Sequence, residues 1–207
     1  MSIDAIGLDD LLGRERYATE RAAIRRRVIE HKRNRRVAIG DRISLLFEDR
    51  ATVWYQTQEM LWVEHITDLD AVRAELAVYG ALLPSTCELS ATLLIEISEQ
   101  GRIREELQRL RGIDRHVWLD VAGERVPGVF EDGRESDTKL SAVQYVRFPL
   151  SDTARERLVG DAPLVIAVDH PAYRVETRVP EAIRRSLVGD LHGGDGASMA
   201  LRWVRDG

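Results

Sequence analysis

Residues 47–66, FEDRATVWYQTQEMLWVEHI, decide how this chain is read. Phe47 ends a strand-like run, and Asp49 is a capping residue for a helix that continues to about His65. On a helical wheel Glu64 projects between Val53, Thr57 and Met60, and Glu59 between Tyr55, Val63 and Ile66. Polar and apolar residues alternate around the whole circumference, the pattern of a helix enclosed on most sides. A buried carboxylate without a partner costs several kcal/mol and takes up a proton. A guanidinium, with five donors in a flat fork, removes most of that cost. The reading therefore requires arginines in the same place.

The preceding segment supplies them. Residues 8–33 carry helix signals, with acids at the start and bases toward the end. Arg14, Arg21, Arg25 and Lys32 fall within about 40° of one another at 100° per residue. One apolar lane, Leu11, Ala18, Ala22 and Ile29, flanks this column, and Tyr17, Ile24 and Val28 flank it on the other side. A solvated stripe sits opposite an apolar face rather than between two apolar lanes. The column is expected to face protein and to meet Glu59 and Glu64.

Working outward, "VAIGDRISLLFE" reads as strands around a Gly-Asp turn, and "TDLDAVRAELAVYGALLP" as a helix with Val72, Leu76, Tyr79 and Leu83 on one face. "ELSATLLIEI" alternates as a half-buried strand, and "GRIREELQRLRG" is a short helix stopped at Gly112. The second half is mostly strand. "HVWLDVAGERVPGVFED" forms a hairpin turning at residues 122–125, "SAVQYVRFPL" is a strand, and Ser151 caps a helix over "SDTARERLVG". "APLVIAVDHPAYRVETRVP" gives two strands around a turn at Asp169, His170 and Pro171, and "EAIRRSLVGDL" closes with a helix. The expected fold is a single α+β domain over residues 1–191, with a mostly antiparallel or mixed sheet, a long N-terminal helix and several packed helices. Residues 192–207 read as a flexible tail.

Composition narrows the class. The 207 residues are 44% hydrophobic and 31% charged, which is globular. No apolar run approaches the ~20 residues needed to cross a bilayer, and no signal peptide opens the chain. One cysteine, Cys87, leaves no intramolecular disulfide and no Cys-based metal site, and the default compartment is the cytoplasm. The net charge of −5 is uneven: residues 14–36 hold ten Lys/Arg against three Glu, +7, leaving 20 bases and 32 acids, −12, elsewhere.

No phosphate-binding glycine loop, nucleophile elbow or H-E-x-x-H sequence is present. Glu59, Glu64 and His65 do not share a face: the two glutamates diverge by about 140°. His170, at a strand end in "VDHPAY", is a possible ligand but reads first as structural. Arg147 is expected to pair with Glu96 across strands. The cluster Arg14, Arg21, Arg25, Arg36, Glu59, Glu64, Glu96, Arg147 and His170 reads first as a buried ion-pair network and second as a pocket for a metal or small ligand. Neither a particular metal nor any cofactor is predicted. The basic run "RRRVIEHKRNRR" admits nucleic-acid binding, which the acidic remainder disfavours.

The runs "RRVAIGDRISLLFEDRATVWYQTQEMLWVEHI", "ELAVYGALLP", "ELSATLLIEI", "SAVQYVRF" and "VDHPAY" resemble an uncharacterised bacterial family defined only as a domain of unknown function, up to about Leu191. The typical motif residues of that family, by resemblance, are Arg36, Gly40, Glu48, Gln56, Glu59, Met60, Glu64, Glu75, Tyr79, Pro84, Thr92, Glu96, Arg147, His170 and Tyr173. Gly80 stands where the family usually has Asn, and Gln144 where it has His, which weakens any role for that histidine. Members are often encoded beside rubrerythrin-like di-iron proteins and iron–sulfur oxidoreductase subunits. The resemblance thus implies a role alongside a di-iron or iron–sulfur redox system, and together with the missing catalytic constellation it favours a non-enzymatic accessory or interaction protein over a small-ligand or metal-binding protein.

Overall fold

Alternation in "RRVAI" sets the first sheet: Arg35, Val37 and Ile39 turn inward, while Arg36 and Ala38 turn outward. The computed structural model describes residues 5–97, 100–131, 135–136 and 139–192. The expected tail, from residue 193 onward, lies outside the described residues. In chain order the elements are α1 (Arg14–Arg33), β1 (Arg36–Ile39), β2 (Ile43–Phe47), α2 (Arg50–Val63), α3 (Leu69–Gly80), β3 (Glu88–Ile95), α4 (Ile103–Arg109), β4 (Val117–Val121) and β5 (Glu124–Pro127). There follow β6 (Val129–Phe130), β7 (Glu135–Ser136), β8 (Lys139–Leu140), β9 (Val143–Pro149), α5 (Asp152–Val159), β10 (Leu164–His170), β11 (Tyr173–Arg178) and α6 (Glu181–Leu191).

The strands form a five-stranded sheet, β1-β2-β3-β9-β6, a four-stranded sheet, β11-β10-β4-β5, and the short pair β7-β8. Every pairing is antiparallel. With six α-helices among the described residues, this is the α+β single domain expected. One core joins the inner faces of both sheets, with Ile39, Leu45 and Leu93 from the first and Leu119 and Ile166 from the second. Leu158 of α5 and Leu187 of α6 complete it. A second core lies on the outer face of the five-stranded sheet, where Tyr17, Ile24 and Val28 of α1 meet Val53 and Trp54 of α2 and Leu82.

Two details fix how these layers meet. Gly40 turns β1 into β2 with φ +66, and any Cβ there would strike the Tyr173 hydroxyl. That hydroxyl donates to Ile39 O (2.5 Å) and accepts from Asp41 N (3.1 Å), tying the hairpin to β11 of the other sheet. Asp49 caps α2, as expected: its carboxylate accepts from Thr52 N, and Thr52 Oγ1 accepts from Asp49 N, both at 2.9 Å.

Three expectations change. The first helix does not run from residue 8. A 3-10 turn covers Leu8–Asp10, and Gly13 is the N-cap of α1. Asp169 and His170 belong to β10, so the following turn is Pro171 and Ala172. The lane Ala18, Ala22 and Ile29 lies open, with Ile29 52% exposed, because α1 packs through one lane only.

Candidate functional site

The buried lane of α1 recurs at helical spacing as Tyr17, Ile24 and Val28, with Arg21 on the same side one turn after Tyr17. This lane rests on α2 and brings Arg21 to Glu59. Arg21 Nε donates to Glu59 Oε1 and Nη2 to Oε2, both at 2.8 Å, a fork-to-carboxylate match. The fully buried Tyr17 donates its hydroxyl to Glu59 Oε1 at 2.5 Å. Arg21 holds the Glu59 carboxyl below its ordinary range, with help from the Tyr17 hydroxyl and against partial burial. Burial, then the neighbouring Glu59, pushes the Tyr17 phenol up. Both carboxylate oxygens of Glu59 are thus engaged by protein donors.

The other expected members do not join this pair. Arg25 is exposed and reaches Glu59 only through the longer range of its charge. Glu64 is not inside: α2 ends at Val63, Glu64 is its C-cap, and the chain turns there into solvent. Arg14 is exposed, stacks over the Trp62 ring at 4.5 Å and donates to His65 Nδ1 at 2.5 Å instead of meeting a carboxylate. Arg36 pairs with Glu96 at the surface, and Ser44 Oγ donates to the same carboxylate at 2.6 Å. Ser44, then Arg36, draws the Glu96 carboxyl down against burial.

The expected pair of Arg147 with Glu96 is corrected. In the ladder Arg147 lies opposite Ser90, near the β3 end that carries Glu88, and it pairs with Glu88. It also donates to Ala81 O and to Leu83 O (3.4 Å), clasping the end of α3 to β9. His170 is in the four-stranded sheet, on β10, with both ring nitrogens used: Nε2 donates to Arg111 O (2.9 Å) and Nδ1 accepts from Ala172 N (3.2 Å). Gln144 faces the inner core opposite Leu93 and donates to Ser141 O at 3.3 Å.

The deepest charge cluster was not anticipated. Arg35, 1% exposed, sits between α1 and β1 and donates to Phe47 O (2.9 Å), Glu48 O (3.2 Å) and Ser186 Oγ (3.0 Å). It pairs with Asp190 of α6 and lies 3.3 Å from Asp49 Oδ2, which also contacts His31 Nε2 at 2.6 Å. Burial pushes Asp49 up, but Arg35 and His31 outweigh it and hold the carboxyl at about 2. Asp190, pushed up by burial more than Arg35 draws it down, stands at about 6. Glu48, also raised by burial, accepts from Thr52 Oγ1 and Thr92 Oγ1, each at 2.5 Å. The signal was legible: strand alternation places Arg35 on the same side as Val37 and Ile39.

Among the described residues, no three His, Cys, Asp or Glu side chains converge as a metal site, and no helix is long and apolar enough to cross a membrane. No curated protein matches the chain significantly. In structure it is similar to a protein of unknown function from Burkholderia pseudomallei K96243, with 41% identity and a TM-score of 0.86, over 90% of this chain and 99% of that one. The profile of the family described as "Protein of unknown function (DUF3501)" spans residues 5–191. With that span matched, the chain belongs to the DUF3501 family.

Proposed function

We propose that this chain is a cytoplasmic accessory protein that docks on an acidic partner through the outer face of α1. The observation that carries the reading is the one-sided packing of that helix: of its 20 residues only Tyr17, Ile24 and Val28 are buried. Arg25, Arg26 and Arg27 stand exposed in succession in a chain of net charge −5. Such a patch steers association with a surface of opposite sign. A docking role rather than a catalytic one is supported by the groups the sequence nominated for chemistry. Glu59 is taken by Arg21 and Tyr17, Glu96 by Arg36 and Ser44, and His170 by two backbone groups. The partner we propose is a di-iron or iron–sulfur redox protein, and this half of the reading rests on the sequence resemblance alone.

The test is co-purification of the tagged chain from its native host, with iron measured in the eluate. The expected result is an iron-bearing partner retained at low salt and lost from the variant R25E/R26E/R27E. A clean monomer without iron contradicts the reading, as does retention of the partner by the triple variant. Duplex DNA binding with a steep salt dependence replaces it, since phosphates also suit exposed arginines.

A further inference from the structure

We propose that the groove where α1 begins, α2 ends and α3 begins binds a monocarboxylate with an apolar chain. The groove has a volume of about 380 Å³, within the range of small-molecule sites. Leu11, Leu61, Trp62, Ile66, Leu69 and Val72 give it hydrocarbon walls. Gln58 is in the wall, but its amide is used: Leu12 N donates to Oε1 (2.9 Å) and Nε2 donates to Leu12 O (3.1 Å). The interior therefore suits an alkyl chain, which needs no polar partner. Leu69, 59% exposed, leaves part of this apolar wall to water.

The head of the ligand follows from the charge in the lining. Arg14 is the one charged side chain among the described lining residues. Its guanidinium lies over Trp62 and directs one donor to Trp62 O (3.4 Å) and one to His65 Nδ1 (2.5 Å). A guanidinium has five N–H donors, so the exposed Arg14 has further donors for a carboxylate. His65 accepts one of these bonds at Nδ1 and so helps to hold Arg14 in place beside the groove.

His65 is also an unusual choice of residue. It closes α2 in the left-handed region, with φ 58. Ile66 N donates to Leu61 O (3.0 Å) and His65 N to Trp62 O (3.4 Å), the paired bonds of a helix C-terminus that glycine fits without strain. This C-terminal turn fixes the imidazole where it accepts from Arg14, whose guanidinium lies over Trp62. A cationic guanidinium beside an apolar cleft is complementary to a fatty-acid-like anion.

The probe is a series of sodium carboxylates from hexanoate to decanoate, titrated into the full chain by calorimetry. Affinity is expected to rise about fourfold per added methylene until the groove is filled. Decanol should bind at least tenfold more weakly than decanoate, and decylamine without saturation. Arg14→Gln should bring decanoate to the level of decanol while circular dichroism is unchanged. Leu69→Ser, at an exposed position, should weaken decanoate severalfold and serves if the first variant misfolds. The proposal is overturned by absence of saturable decanoate binding, by equal binding of decanoate and decylamine, or by wild-type affinity in both variants. It is overturned equally if only a peptide with an apolar C-terminus binds.

Discussion

Arg21, within α1, and Arg35, just beyond its end, both reach carboxylates, and the two regions around them differ in depth. The Arg21 and Glu59 side chains are 35% and 21% exposed, while those of Arg35 and Asp190 are 1% and 11% exposed. At the first pair water screens the charges, and each side chain gives up motion to hold one geometry, so the net gain is small. At the second, removing one member leaves charges in a place water does not reach. The difference teaches that charge inside this fold matters by depth rather than by geometry. The shallow pair is a well-formed bidentate match, yet the deep cluster joins α1, β2, the cap of α2 and α6.

Removing the deep guanidinium is the largest expected effect. Arg35→Ala should lose about 3–5 kcal/mol of unfolding free energy in urea denaturation. A loss below about 1 kcal/mol would erase the distinction drawn between the two regions.

The next test is one of pH. The Asp190 carboxyl stands at about 6 in the fold, above its ordinary 3.8. Between those values the folded chain holds a proton that the unfolded chain has released, so stability falls as pH rises from about 4 to about 6 and then levels. Asp49, held at about 2, acts with the opposite sign: its contribution is present above its ordinary 3.8 and is lost as pH falls toward 2. Asp190→Asn should remove the decline between pH 4 and 6 in the thermal midpoint and leave the loss below pH 4. An unchanged slope in that variant would show that Asp190 is not the group responsible.

The shallow region should respond weakly. Arg21→Ala is expected to cost about 1 kcal/mol, because the Tyr17 hydroxyl still satisfies one oxygen of Glu59. A loss as large as that of Arg35→Ala would break the comparison. Glu64→Ala, at an exposed cap, should stay within about 0.5 kcal/mol of the parent.

Legibility in the sequence followed the reach of each periodic signal. Asp49 was readable as a cap because an oxygen-bearing side chain sat directly before a helical pattern. The strands β9 and β11 were readable because Val146 and Tyr173 each belong to a period of two, whereas β3, read as half-buried, also buries Ser90 and Thr92 on its other face. Arg21 reached Glu59 because both lie well inside their helices, where a wheel holds. Glu64 failed at a boundary: α2 stops one residue earlier, with His65 in the left-handed region, and the wheel was carried past its end. Arg14 failed likewise at the first residue of α1. Arg35 was passed over because it lies between a helix and a strand, where neither period was applied. Its partner Asp190 comes from α6, a distance in sequence that no local pattern spans. The Arg147 pairing with Glu96 failed because register, which sets Ser90 opposite Arg147 and brings it near Glu88, is a property of the assembled sheet.

The central claim is that α1 is clamped more firmly at its C-terminal end, by the buried Arg35 cluster, than near its start, where Tyr17 is the buried anchor. Native-state amide hydrogen exchange along α1 tests this most directly. The account predicts that amides around Val28 to Lys32 exchange only by global unfolding, while those around Tyr17 to Arg21 exchange by a smaller opening. Equal protection along the helix, or a gradient running the other way, would contradict it.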